Sequence, residues 1–165
     1  MKSPLLQTRR RPPNTLMMTW AIMLASLVTY LFVCYMILHQ PSFHARYGIE
    51  SLHTPLFGPI NVLMLVYVVA VLIFTVGIVS FRVFYGKLAK RFAQQSFESA
   101  EQKREAFKKK YSALMFSYLA IFNAIIVWGV VVFLLSGDFS TLINLATLTA
   151  VGFFVVMPTQ AKFNI

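Results

Sequence analysis

The residues best suited to chemistry by type are three histidines and one glutamate that lie close together in the chain. His39, His44, Glu50 and His53 fall within a 15-residue segment. Imidazole and carboxylate groups are ligands that Zn²⁺ and Cu²⁺ accept. Their spacing matches no closed zinc motif, and the prolines of the segment leave its geometry open. We therefore keep these four residues as weak metal candidates, predict no bound metal or cofactor, and favour histidines at the surface.

Three asparagines are the next polar residues with a potential role. Asn123 lies near the midpoint of a 23-residue uncharged stretch, where an amide facing lipid would be costly. We expect it to hydrogen-bond a neighbouring helix or, alternatively, to line a cavity. Asn61 and Asn144 fall near corresponding ends of two other uncharged stretches. They can form a shared polar layer there.

Catalytic motifs do not stand out in this sequence. It contains no Ser-x-x-Lys, nucleophile elbow, Cys-x-x-Cys, Gly-rich phosphate loop or paired acid–base carboxylates. We predict that the protein is not an enzyme. A membrane enzyme or metal-binding protein that acts through the outer-loop histidines is the third hypothesis, behind the two given below.

The elements that must position these residues are four long stretches without a charged residue. At about 1.5 Å rise per residue, each is long enough to cross the hydrocarbon core as a helix. The sequence therefore predicts an all-α, polytopic membrane protein with four transmembrane helices in two antiparallel hairpins. Because no span contains an ionisable residue, proton relays and ion-coupled transport are disfavoured. The predicted spans are Leu16–Leu38, Pro59–Phe81, Ala113–Leu135 and Phe139–Met157.

The spans divide the chain into one membrane domain, residues 16–165, preceded by a basic arm, residues 1–15. The loop 39–58 holds several apolar side chains, and we expect it to fold onto the outer membrane surface. Residues 82–111 are predicted to form a charged helical elbow, and the capping-box pattern Ser99-Ala-Glu-Gln102 starts its second helix.

Positive charge orients this arrangement. Of the fifteen Lys and Arg residues, only Arg46 falls on the side of the membrane opposite to the others. The positive-inside rule therefore predicts that both termini are cytoplasmic, and we favour a bacterial inner membrane. Basic side chains next to the membrane can hold anionic phospholipids or a protein partner. We expect this role for Arg9, Arg10, Arg11, Lys108, Lys109 and Lys110, and we predict no nucleic-acid binding.

Small residues form faces on the last two spans. Such faces let helix backbones approach closely in lipid, either within one chain or with a partner. We therefore expect a non-catalytic accessory or assembly subunit that contacts other integral membrane subunits. The alternative is a small homo-oligomeric transporter or channel with an Asn-lined cavity. The predicted packing residues are Ala113, Ser117, Ala120, Asn123 and Ala124 in span three, and Ala146, Ala150 and Gly152 in span four.

Overall fold

The computed structural model describes residues 14–97 and 99–163. Its four long helices are each long and apolar enough to cross a membrane, as expected of a multi-pass helical membrane protein. The basic residues Arg9, Arg10 and Arg11 lie outside the described residues, as does most of the predicted basic arm. The helices are α1 (Asn14–Leu38), α2 (Val62–Gln94), α3 (Ala100–Ser136) and α4 (Phe139–Val156).

Short polar side chains begin three of these helices. Asn61 caps α2, where its side chain accepts a 2.8 Å hydrogen bond from the backbone N–H of Met64. Ser99 caps α3 by accepting from the N–H of Gln102, as the capping-box pattern predicts. The Asp138 carboxylate caps α4 by accepting from two backbone N–H groups. These bonds satisfy N–H groups that a helix start leaves without intrahelical partners.

The start of α2 differs from the predicted span boundary. Pro59 was expected at the first helical position, but the helix begins at Val62. The reason is a short antiparallel hairpin of two strands, β1 (Pro55–Phe57) and β2 (Ile60–Asn61). Its turn contains Gly58 at φ +58°, a conformation that favours glycine. The hairpin uses the residues that would otherwise have formed the first turn of the helix.

Packing is centred on α3 and α4. These two helices make the most extensive contact with each other, while α1 and α2 each contact both of them and hardly touch one another. The α3–α4 pair therefore forms the centre of the bundle, with α1 and α2 packed against it. The interior contains the fully buried Phe122, Phe133, Leu145 and Phe153. Most apolar side chains of α1 and α2 face outward.

Two helices continue beyond their apolar segments as a charged projection. The first charged residue of α2 is Arg82, and in α3 the last charged residue is Lys110. Residues 82–94 and 100–110 are helical and are joined by the short segment 95–99. Phe92 forms the interior of the projection, with ring centroids 5.5 Å from Phe107 and 5.6 Å from Phe97. The projection thus has an aromatic core of its own.

The loop between α1 and α2 rests on the opposite end of the bundle. The backbone N–H of Tyr47 donates to the carbonyl of Leu135, at 3.0 Å. The Phe43 ring stacks on Phe133 with centroids 5.6 Å apart. Leu52, in a 3₁₀ helix over Ile49–His53, is buried. These contacts cover the carboxyl end of α3.

Candidate functional site

The loop histidines do not converge. His39 directly follows α1, and its ring lies against that of Tyr35, tilted by 43° with centroids 4.2 Å apart. His44, Glu50 and His53 are exposed. Among residues 14–97 and 99–163, no three His, Cys, Asp or Glu side chains are grouped so that they could hold a metal ion. The loop acts here as a cover for the helix ends.

A polar network joins α2 to α4 at the same end of the bundle. The Asn144 side chain donates from Nδ2 to the Tyr67 hydroxyl at 2.8 Å. Tyr67 in turn lies 3.5 Å from the Thr141 hydroxyl, which donates to the Asp138 carboxylate. Asn61 is not among the partners of Asn144 in this network, since its side chain caps α2. Sequence reasoning missed Tyr67, because its only signal is a hydroxyl within an apolar helix.

Asn123 lies on the flank of α3, about halfway along its apolar segment. Its side chain is partly buried, and its Oδ1 atom is buried without a hydrogen-bond partner in the described part of the chain. A buried unpaired amide oxygen costs about 1–3 kcal/mol. The chain therefore leaves a polar group unsatisfied at membrane depth.

The small residues of α3 face away from the bundle. Ala113, Ser117, Ala120 and Ala124 are all exposed, whereas the opposite face of the same helix is buried. We call these four residues the small face of α3. It takes no part in the tight packing of the chain, so two backbones can still approach each other there.

The small residues of α4 are used within the chain instead. Ala146 and Gly152 are buried, and Ala150 is partly buried. The ring of Phe122 fits between Gly152 of α4 and Gly77 of α2. A Cβ atom added at Gly152 would lie 2.6 Å from the Phe122 ring, and one at Gly77 would lie 2.7 Å from it. The two glycines thus make room for one aromatic ring between three helices.

The carboxyl end of α4 is capped from three directions. A helix leaves its last four carbonyl groups without intrahelical donors. Trp20 of α1 donates its indole N–H to one of them at 2.8 Å, and Tyr111 of α3 donates its hydroxyl to another at 3.0 Å. Lys162 folds back and donates its ammonium group to a third at 2.8 Å. The acceptors are the carbonyls of Phe153, Val156 and Val155, respectively, while that of Phe154 accepts from the backbone N–H of Met157.

Lys162 lies at the centre of this cap. A cation at a helix carboxyl end is favoured by the helix dipole, and its Nζ atom also lies 5.2 Å from the ring centroid of Phe81. Burial lowers the pKa of Lys162 to about 8. The next residue, Phe163, packs edge-on against Phe107 and Tyr111. Sequence reasoning counted Lys162 only as a positive charge. The sequence signal that could have indicated this capping role is a lysine that shortly follows a helix ended by a proline.

Basic side chains cover the projection. Lys108 is half-buried and lies 3.9 Å from the Glu105 carboxylate, whereas Lys109 and Lys110 are exposed. On α2, Lys87, Lys90 and Arg91 line a shallow open groove. These positive groups lie where the apolar segments end, so they can meet phosphate groups at a membrane surface.

An apolar groove of about 200 Å³ runs between α2 and α3. Its walls include Val69, Ile73, Ile125 and Trp128, and all of its lining side chains are apolar. It can receive an acyl chain or an apolar helix edge.

Comparison with known proteins identifies no relative: no family model, curated protein or solved structure matches this chain. The functional proposal therefore rests on the geometry above.

Proposed function

We propose that this chain is a non-catalytic accessory or assembly subunit of a larger protein complex in the bacterial inner membrane. The observation that carries the proposal is the outward-facing small face of α3. In lipid, helices associate through close packing, and small residues permit the shortest approach of two backbones. This face is unused by the chain, although the opposite face of α3 is buried. A helix of another subunit is its natural occupant.

Asn123 supports the same proposal. It lies between Ala120 and Ala124 in sequence and flanks the small face, and its buried Oδ1 atom has no partner in the described chain. A partner helix seated on this face can supply the missing donor. Hydrogen bonds between membrane helices contribute about 0.6–2 kcal/mol each. Asn123 would then make the choice of partner helix more specific than the small residues can on their own.

The proposed orientation follows from charge. Both termini and the projection 82–111 would lie in the cytoplasm, because nearly all Lys and Arg residues lie at that end of the spans. The spans would then form two antiparallel hairpins, the first between α1 and α2 and the second between α3 and α4. Lys108, Lys109 and Lys110 would dock anionic phospholipids or a soluble part of the complex.

The first test is extraction of the tagged chain from its native membrane in a mild detergent. A native gel and identification of co-migrating proteins would follow. The proposal expects a defined, stoichiometric set of other membrane subunits. Recovery of the chain alone, as a monomer or small homo-oligomer, would contradict it.

A matched pair of variants tests the surface itself. Ala120→Leu fills the small face, and because Ala120 is exposed, the thermal stability of the isolated chain should not change. Val76→Leu changes a position on α2 that is also exposed and is the control. We expect Ala120→Leu to lose the co-purifying subunits and Val76→Leu to keep them. Equal retention by both variants would assign the contact to another surface.

The unsatisfied oxygen of Asn123 also suits the alternative of a homo-oligomeric transporter, in which it would line a cavity between copies. Asn123→Leu separates the two functions. A packing subunit should lose assembly, whereas a transporter should keep its assembly and lose flux. Asn61 and Asn144 support a shared cavity less well, because each already has a different intramolecular partner.

A further inference from the structure

A groove between the first turn of α1 and the start of the apolar part of α3 has an unusual composition. Its volume is about 310 Å³, which suits a small polar headgroup rather than a helix. One wall is formed by α1 and the other by α3. We call it the α1–α3 groove; it is lined by Thr15, Leu16, Thr19, Glu105, Lys108, Lys109, Ser112 and Phe116.

Charged and apolar groups lie at opposite ends of this groove. Lys109, Ser112 and Phe116 follow one another at steps of three and four residues, so they form one ridge that rises about 10 Å along α3. Lys109 belongs to the last charged cluster before the uncharged stretch, while the exposed Phe116 lies inside that stretch. The uncharged stretch of α1 begins at Leu16. The groove therefore crosses the membrane boundary from charged to apolar, as a phospholipid molecule does.

Hydrogen bonding adds a preference among headgroups. The Thr19 hydroxyl donates to the Thr15 carbonyl at 2.9 Å, and that of Ser112 donates to the Lys109 carbonyl at 3.0 Å. Each hydroxyl therefore has lone pairs left to accept with and no proton left to donate. Lysine ammonium groups supply the donors that a phosphate requires. The groove thus combines cationic donors for a phosphate with acceptors for a headgroup that carries hydroxyls.

The net charge of the groove favours the same class of lipid. The two lysines and Glu105 give the groove a formal charge of +1, which complements a lipid with one negative charge. Glu105 lies 3.9 Å from the Lys108 ammonium and is largely exposed, so it competes with any anion for that lysine.

We propose that the α1–α3 groove binds an anionic phospholipid with a hydroxyl-bearing headgroup. Lys108 and Lys109 contact its phosphodiester, and the first carbons of its acyl chains lie against Leu16 and Phe116. Lys110, although adjacent in sequence, does not line the groove. This inference rests on the lipid docking proposed above for Lys108 and Lys109, and its test is independent of the subunit proposal, because the lipid can bind whether or not the chain has protein partners.

The test measures retained lipid on the detergent-purified full chain by native mass spectrometry, with dioleoyl phosphatidylglycerol as the probe. A double variant, Lys108→Gln with Lys109→Gln, removes the proposed phosphate ligands. Lys103→Gln with Arg104→Gln removes the same charge from the same helix, outside the groove and more than one turn farther from the uncharged stretch, and is the control. At roughly five-fold in affinity per lysine near a membrane surface, we expect roughly a 25-fold loss for the first pair and a much smaller loss for the second. Thermal unfolding of each variant confirms that it is folded.

Three further results complete the test. Glu105→Gln should increase retention of the anionic lipid, because it frees Lys108; a decrease would overturn the proposal and indicate an aminophospholipid. Dioleoyl phosphatidylcholine should be retained less than dioleoyl phosphatidylglycerol, and equal retention of the two lipids would contradict the charge argument. Displacement of the lipid by millimolar inorganic phosphate would show that a free phosphate is the ligand. Equal losses of lipid in the two double variants would show that diffuse surface charge, and not the groove, retains the lipid. That result would also overturn the proposal.

Discussion

Substitution of Gly152 by alanine tests the central packing of the bundle. The added Cβ atom would lie 2.6 Å from two carbons of the Phe122 ring, well inside ordinary van der Waals contact. The ring is also held close to α2, because one of its atoms is 2.7 Å from the Cβ position of Gly77. Relief therefore requires that α4 or α2 move outward.

The magnitude follows from two opposing terms. Overpacking a close-packed interior costs about 1–3 kcal/mol. Replacing a helical glycine by alanine returns about 0.5–1 kcal/mol of backbone entropy and helix propensity. Gly86→Ala receives only the second term, since nothing lies within 4 Å of its Cβ position. The difference in free energy of unfolding between the two variants therefore isolates the steric cost, at about 1–3 kcal/mol.

The assay is unfolding by sodium dodecyl sulfate in mixed micelles, followed by circular dichroism. A third variant, Gly129→Ala, tests whether the steric penalty follows the closeness of the contact. A Cβ atom at Gly129 would lie 3.3 Å from Leu142 and Leu145, a tight contact with flexible side chains. We expect the steric penalty to be largest at Gly152, smaller at Gly129 and absent at Gly86.

A smaller side chain at position 122 should relieve the clash. In a chain that already carries Phe122→Leu, the added methyl group of Gly152→Ala no longer meets a rigid ring, so its cost should fall by at least half. A double-mutant cycle measures this coupling. If Gly152→Ala were as stable as Gly86→Ala, or if Phe122→Leu left its cost unchanged, the ring would not be clamped between the glycines.

Two further predictions concern the cap of α4. Trp20→Phe replaces the indole by a smaller phenyl ring and removes the N–H donor to the Phe153 carbonyl, so the free energy of unfolding should fall by about 1–3 kcal/mol, whereas Trp128→Phe, the same change at an exposed position, should alter it little. Lys162 has its pKa lowered from 10.5 to about 8 by burial, so between these values the unfolded chain binds more protons than the folded one. Stability should therefore rise with pH from about 8 to 10.5, and Lys162→Gln should remove this rise from the thermal midpoint measured across that range. A pH dependence that is identical in both proteins would show that Lys162 does not carry it.

Local signals in the sequence were sufficient for the number of helices and for several of their boundaries. Four uncharged stretches of membrane length predicted the four long helices. Ser99 predicted the start of α3 correctly, because a capping side chain bonds to backbone only three residues away. The start of α2 was placed too early at Pro59, since the hairpin turn at Gly58 competes for the same residues.

Which side of each helix is buried could not be predicted from the sequence in the same way. In a water-soluble helix, the apolar stripe identifies the buried side, but a helix in lipid is apolar on all sides. The small residues of α3 and α4 therefore looked alike in sequence, yet those of α3 face outward and Gly152 of α4 is buried. Asn123 was recognised as a costly polar group at membrane depth, but its missing partner became visible only in the structure.

What the sequence determined by itself is membrane class, helix number and charge asymmetry, because hydropathy and capping act over a few neighbouring residues. What the tertiary structure decided is which distant groups meet. The indole of Trp20 and the carbonyl of Phe153 are 133 residues apart, and Tyr111 and Val156 are 45 residues apart. The α1–α3 groove likewise joins the first turn of α1 to a turn of α3 nearly a hundred residues later. Such pairings depend on how the helices cross, and no periodicity within a single helix specifies that.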